Sequence, residues 1–178
     1  MRKVILQLAV SLDSFIEGPK GEYDWCFTDQ DYGMSEFFKR IDTIFLGRKS
    51  YDMMKDMPVD PNDPFMAQFA GVSQYVFSNT LTELEGTRPY QIVSGDTVAW
   101  TKAYKQTPGK DIWLFGGASL TTAFMENHLV DELALAVHPI LLGNGKPLFQ
   151  GINERVKLEL ISTKEYSSGL VMMRYKVG

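Results

Sequence analysis

Three short segments hold side chains and backbone suited to gripping an anionic ligand. In Asp111-Ile112-Trp113-Leu114-Phe115-Gly116-Gly117-Ala118-Ser119-Leu120 an apolar run reads as a buried strand. Two glycines break it, and a helix-forming stretch with Leu120, Phe124 and Leu129 follows. Glycine lets backbone approach an anion, the first N–H groups of a helix have no internal partner, and the helix dipole favours negative charge there. The pair therefore reads as a phosphate site, or as a plain tight turn. Thr43-Ile44-Phe45-Leu46-Gly47-Arg48-Lys49-Ser50-Tyr51 repeats the order of strand, glycine and helix start, now with two cations at the helix entry. Cations there oppose the dipole, and an anionic ligand would resolve the conflict; two solvated side chains are the alternative. Val76-Phe77-Ser78-Asn79-Thr80 ends a strand in three small polar side chains, able to donate to phosphate or ribose oxygens or to cap a turn. A nucleoside-triphosphate loop is excluded, because the glycine spacing before Lys49 is missing. Asn144-Gly145-Lys146-Pro147 fails the same test, with neither the upstream glycine nor a Ser/Thr after the lysine.

Alternating strands and helices must position these segments. Strand-like runs cover 3–10, 43–47, 74–78, 90–94, 111–115 and 132–138. Helical spacing predicts helices over 31–41, with Met34, Phe37, Phe38 and Ile41 on one face, and over 50–57, 63–70 and 96–106. The last predicts its stop at Pro108-Gly109. Residues 156–161 and 170–177 flank Ser167-Ser168-Gly169 and read as a hairpin. Helix-separated strands predict an α/β fold with a central, mostly parallel sheet of about eight strands, helices on both faces and a C-terminal antiparallel hairpin. The 178 residues fit one domain over 1–178, with no repeat or linker to divide it. A net charge of −4 without a Lys/Arg cluster argues against nucleic acid or an anionic membrane. One cysteine, Cys26, fits a reducing compartment, and no run approaches the roughly 18 apolar residues of a membrane helix. A cytoplasmic protein is expected. Two His and one Cys, widely separated, make no metal site.

In this order and spacing, strand-Gly-Arg-Lys-Ser-Tyr, strand-Ser-Asn-Thr and strand-Gly-Gly-Ala-Ser-Leu resemble the dihydrofolate reductase fold. Ser11-Leu12-Asp13-Ser14-Phe15-Ile16-Glu17-Gly18 resembles the mobile loop after its first strand. Val130-Asp131-Glu132-Leu133 and Pro139-Ile140-Leu141-Leu142-Gly143-Asn144-Gly145-Lys146-Pro147-Leu148-Phe149 are similar to the reductase domain of bifunctional riboflavin-biosynthesis enzymes. The resemblance covers essentially the whole chain. It implies a reductase that binds NADPH across the carboxyl ends of the strands and passes a hydride to a small heterocyclic, imine or carbonyl substrate. It implies further that Gly47, Arg48, Lys49 and Ser50 meet the adenosine half, and that Ser78 and Asn79 lie by the ribose 2′-phosphate. Gly116, Gly117, Ala118, Ser119 and Leu120 would hold the pyrophosphate, with Ala9 and Ile16 near the nicotinamide. The residues agree on one point. An NAD site offers a carboxylate to the ribose, whereas Arg48-Lys49 suits a 2′-phosphate.

The substrate half departs from both relatives. Dihydrofolate reductases carry a carboxylate on the inward face of the first helix, where this chain has Met34, Phe37 or Phe38, and Ile41. Asp31, one turn earlier, is the candidate acid, or else a helix cap. The riboflavin enzymes' zinc deaminase domain cannot be built from one Cys and two His. Trp25, Phe38, Tyr51, Phe65 and His138 are candidates for a flat-ring substrate pocket, with core packing as the alternative. Dihydrofolate reductase activity remains an alternative, as does a non-catalytic NADP-binding sensor. Apolar helices, the terminal hairpin and the dimeric habit of the riboflavin-type relatives predict a homodimer.

Overall fold

The structure, a computed structural model, describes residues 1–57, 64–69, 71–86 and 88–178, without the side chains of 64 and 65. The side chain of the expected candidate Phe65 and the start of the predicted helix at 63 thus lie outside what is described. Ten strands are described: β1 (Val4–Ser11), β2 (Phe15–Glu17), β3 (Ile41–Gly47), β4 (Ser73–Phe77), β5 (Tyr90–Val93), β6 (Asp111–Gly116), β7 (Glu132–His138), β8 (Lys146–Pro147), β9 (Leu158–Glu165) and β10 (Val171–Val177). The helices are α1 (Met34–Arg40), α2 (Arg48–Met54), α3 (Pro64–Ala67), α4 (Thr97–Tyr104) and α5 (Ala118–Glu126).

Eight strands form one sheet in the order β5-β4-β3-β6-β1-β7-β10-β9. From β5 to β7 every pairing is parallel; β10 and β9 add the antiparallel edge. The expected α/β architecture is the observed one. Alternation along the buried strands explains its two cores. Val4, Leu6 and Val10 of β1 join Phe45, Ile112, Leu114 and Phe124 on one face. Ile5 joins Ile44, Leu46, Trp113 and the α1 residues Phe37 and Phe38 on the other. Trp113 meets Phe37 edge-on at 5.4 Å and Phe38 at 5.6 Å, and its indole N–H donates to the Gln7 carbonyl at 2.8 Å. A buried indole needs such a partner.

Two differences from the expected elements bear on the site. Helix α2 begins at Arg48, so both cations sit in its first turn. A second, two-stranded sheet pairs β2 with β8, setting Glu17 opposite Lys146. Both strands were too short for any periodicity to reveal. Among the described residues no helix is long and apolar enough to cross a membrane.

Candidate functional site

The carboxyl ends of β3, β4 and β6 open onto a groove of about 320 Å³. In parallel sheets this crevice is where ligands bind. Its walls are Gly47, Arg48 and Lys49 at the β3–α2 junction, Phe77, Ser78 and Asn79 after β4, and Thr97 at the start of α4. The β6–α5 junction supplies Gly117, Ala118, Ser119, Leu120 and Ala123, and Lys146 closes the rim from β8.

Close backbone contact shapes the floor. A Cβ on Gly47 would stand 3.1 Å from the Gly117 nitrogen and 3.3 Å from the Gly116 oxygen. The Gly116–Gly117 peptide is cis, and Gly116 has a φ of 117°, a conformation that favours glycine. Helix α5 starts with no side-chain cap, and its first internal bond is Thr121 N–H to the Gly117 carbonyl at 3.0 Å. The amides of Ala118, Ser119 and Leu120 therefore precede the helical ladder, beside the groove they line. Close-packed glycine floor, open amides and cations together fit a dinucleotide, since free amide N–H groups and cations both interact favourably with phosphate.

The three cations differ. Arg48 gives its Nε–H to both oxygens of Asp52, at 2.8 and 3.0 Å, so its charge is partly met within α2. Lys146 pairs with Glu17 at 3.1 Å. Lys49 is exposed and forms no ion pair among the described residues. Ser78 Oγ accepts from the Leu81 amide at 3.1 Å, and Asn79 Oδ1 accepts from the Gly95 amide at 2.8 Å. Both residues thus shape the rim as turn caps while lining it.

Nine of the residues expected at the cofactor meet in this groove: Gly47, Arg48, Lys49, Ser78, Asn79, Gly117, Ala118, Ser119 and Leu120. Four do not line it. Ser50 is buried beneath, its Oγ 3.6 Å from where a Gly117 Cβ would be, and Gly116 ends β6 inside the sheet. Ala9 sits in β1 opposite Ala136, and Ile16 packs on the core from β2. Sequence reasoning missed Phe77, Thr97, Ala123 and Lys146. Lys146 carries a signal in its Gly-Lys-Pro setting, which fits no triphosphate loop and otherwise enters only through the family resemblance.

Asp31 differs from a poised acid. Its Oδ1 accepts from the Ser35 amide at 2.9 Å and the Ser35 hydroxyl at 2.7 Å, and Oδ2 accepts from the Gly33 amide at 3.1 Å. These bonds, the Ser35 hydroxyl foremost, hold its carboxyl below the ordinary carboxylate range. An ionised cap has no proton to give, so the geometry suits the capping alternative.

The residues expected at a substrate pocket differ in exposure. Phe38 is buried against Phe69 and Trp113. Tyr51 is buried, and its hydroxyl donates to the Glu85 carbonyl at 3.0 Å while accepting from the Glu85 amide at 2.6 Å. Both are core, because aromatic rings at helical spacing face the sheet. His138 is buried as well. Its Nε2 accepts from the Phe27 amide at 3.1 Å, so Nδ1 carries the proton and donates to the Ala136 carbonyl at 2.9 Å. Burial lowers its pKa and keeps the ring neutral. Trp25 is half-buried and meets the His138 ring edge-on at 5.2 Å. Only Trp25 of the described set keeps an accessible face.

Asp13 ties two loops together. Ser11 Oγ donates to it at 2.6 Å, and it accepts from the amides of Leu142 at 3.2 Å and Gly143 at 2.8 Å. The Ser11 bond is the chief reason its carboxyl lies below the ordinary range.

Residues 2–172 match the RibD C-terminal domain family. The uncharacterized protein YyaP of Bacillus subtilis (strain 168) is 42% identical over 179 aligned residues, covering 98% of this chain and 94% of YyaP. A solved Shewanella sp. PV-4 protein assigned to riboflavin biosynthesis is 25% identical, with a TM-score of 0.83 over 100% of this chain and 99% of that one. Dihydrofolate reductase from Enterococcus faecalis, solved with NADP(H), shares the fold at 15% identity, with a TM-score of 0.64 over 98% of this chain and 94% of that one. The chain has a dihydrofolate reductase-like fold and belongs to the RibD C-terminal domain family.

Proposed function

We propose that this protein is an NADPH-dependent reductase that transfers a hydride to a small heterocyclic, imine or carbonyl substrate. The observation that carries the reading is the groove itself. Its glycine floor admits backbone contact, and Lys49 offers a cation with no ion pair among the described residues, beside Arg48. Lys49 and Arg48 would hold the 2′-phosphate. The open amides of Ala118, Ser119 and Leu120, with Lys146, would hold the pyrophosphate. NADPH supplies the hydride when bound; the chain supplies position and electrostatics. With Asp31 engaged as a cap, the proton comes from water. Calorimetric titration of NADPH, followed by NADPH oxidation with heterocyclic and carbonyl candidates, tests the reading.

The capped state of Asp31 favours a second reading, an NADP-binding protein without turnover. Tight binding without oxidation of any candidate would select it. In either case we propose a homodimer, joined through the exposed strand β9.

A further inference from the structure

Residues 18–33 run from β2 to α1 without helix or strand. Connections of that length in a compact domain are commonly lids or binding loops. Both ends are held. The Gly18 amide donates to the Glu22 carbonyl at 2.8 Å, next to the β2–β8 sheet. At the other end the Tyr32 hydroxyl donates to Asp29 at 2.6 Å, with Ser168 Oγ of the β9–β10 turn 3.1 Å away. Between these ends, residues 19–31 send one hydrogen bond across the fold, from the Phe27 amide to His138 Nε2 at 3.1 Å. Among the described residues, every other hydrogen bond of this segment spans four positions or fewer.

The single long-range bond depends on a neutral ring. His138 is the last residue of β7, opposite Ser11 at the end of β1. Trp25 meets its ring edge-on at 5.2 Å, and Phe27 lies at 5.0 Å. With Nδ1–H given to the Ala136 carbonyl, Nε2 keeps the lone pair that the Phe27 amide needs. A second proton would set one N–H against another, and the bond is lost. The charged ring would also demand water that its burial denies. The titratable groups on the elements packed around it are Lys20, Glu22, Asp24, Cys26, Asp29 and Asp31 of the segment and Asp13 beyond β1. Asp13 is engaged by Ser11, Leu142 and Gly143, and residues 167–170 of the β9–β10 turn carry no charge. None of these groups moves the His138 pKa: burial lowers it, against the carbonyls of Ala136 and Val10.

We infer that residues 19–31 form a strap latched at its midpoint by the neutral His138 ring, and that protonation of this ring lifts the strap from the carboxyl ends of β1 and β7. The latch needs no cofactor, so it stands apart from the reductase reading. Once the strap lifts, the ring reaches water and regains its ordinary 6.5, whereas the closed form holds it lower. The strap is therefore closed above 6.5. Each unit of pH below that shifts the balance toward the lifted form by up to about tenfold, until the closed value is passed.

The test is amide hydrogen exchange of the unmutated protein, corrected for intrinsic rates, from about pH 7.5 to about pH 5, the range in which an imidazole changes charge. Protection of the Phe27 amide should fall by up to about tenfold per pH unit, while amides of β3 and β6 keep theirs. His138→Gln removes the titration and should make Phe27 protection independent of pH. His128→Gln, at an exposed position beyond α5, should change nothing. Nitrogen-detected NMR of the unmutated protein reads the His138 ring directly, so the latch stays testable if His138→Gln does not fold. It should show Nδ1–H at neutral pH and a second proton arriving as Phe27 protection falls. Constant Phe27 protection while His138 titrates overturns the inference. So does a loss that persists in His138→Gln, which would assign it to the carboxylates of the segment, or a loss shared equally by β3 and β6.

Discussion

Gly47 at the end of β3 and Gly117 at the start of α5 abut so closely that a Cβ on Gly47 would stand 3.1 Å from the Gly117 nitrogen. The backbone of Gly47 is ordinary extended strand, with φ −74°, so alanine there meets no conformational strain. It meets only crowding. Gly47→Ala must push the β3–α2 and β6–α5 junctions apart by a few tenths of an ångström, at a cost of about 1–3 kcal/mol. Thermal unfolding should show that loss, and NADPH binding should weaken with it because the same two junctions form the groove floor. Unchanged stability and binding would mean that the floor is not rigid.

The Asp31 carboxylate can be separated from its capping geometry. Asparagine keeps one acceptor oxygen, enough for the Ser35 amide, gives up the acceptor for the Gly33 amide, and cannot donate a catalytic proton as a carboxylic acid does. Asp31→Asn should therefore leave turnover nearly unchanged and lower stability by about 1 kcal/mol, the worth of one hydrogen bond. A fall in turnover of roughly 10²–10⁴, the usual worth of a general acid, would restore Asp31 as the proton donor.

Acid should weaken the fold in two separable ranges. Burial pushes the Glu132 carboxyl up, but hydrogen bonds from Arg40 at 3.1 Å and Arg174 at 2.6 Å outweigh it and hold the group below its ordinary 4.5. Its contribution is complete above 4.5 and is lost as pH falls through the folded value, because the unfolded chain takes the proton first. Buried His138 lies below its ordinary 6.5, so the unfolded chain again binds the proton first as pH falls past 6.5. Denaturant unfolding against pH should show both losses. His138→Gln should flatten the range just below 6.5, and Glu132→Gln the range below 4.5. Slopes unchanged in both variants would contradict the assignment. Glu132→Ala should cost about 3 kcal/mol, the low end for breaking a buried pair, since both arginines keep about a third of their side-chain surface in water.

Assembly has its own test. Every residue of β9 is exposed, including Leu158, Leu160 and Ile161, on an edge strand whose far side is unpaired among the described residues. Exposed apolar edges of this kind invite another chain. Light scattering at micromolar concentration should give a dimer, and Leu160→Asp should give a monomer. A monomeric unmutated protein would end the proposal.

Much of this was legible in the residues, for identifiable reasons. Strands buried on both faces read as apolar runs, so β1, β3, β6 and β7 stood out, and the glycines that end β3 and β6 marked the groove. Contacts distant in sequence were not legible. Nothing local announced that Glu17 would face Lys146 across a two-stranded sheet, or that Phe27 would fix His138 from 111 residues away. Phe38 and Tyr51 were read for their chemistry, yet their helical spacing had already turned them toward the sheet. Asp31 fell to its neighbours, because a carboxylate two to four residues before open helix amides is bonded by them first.

Cofactor preference tests the central claim most directly. Lys49 has no ion-pair partner among the described residues, whereas Arg48 is held by Asp52, so Lys49 should carry the larger share of the 2′-phosphate contact. Calorimetric titration should show NADPH binding more tightly than NADH. Lys49→Ala should weaken NADPH by roughly 10- to 150-fold, the worth of a hydrogen bond to a charged group, and leave NADH nearly unchanged. Asp52→Asn, which frees Arg48, should tighten NADPH. Equal affinity of the unmutated protein for NADPH and NADH, or binding of neither, would contradict the account.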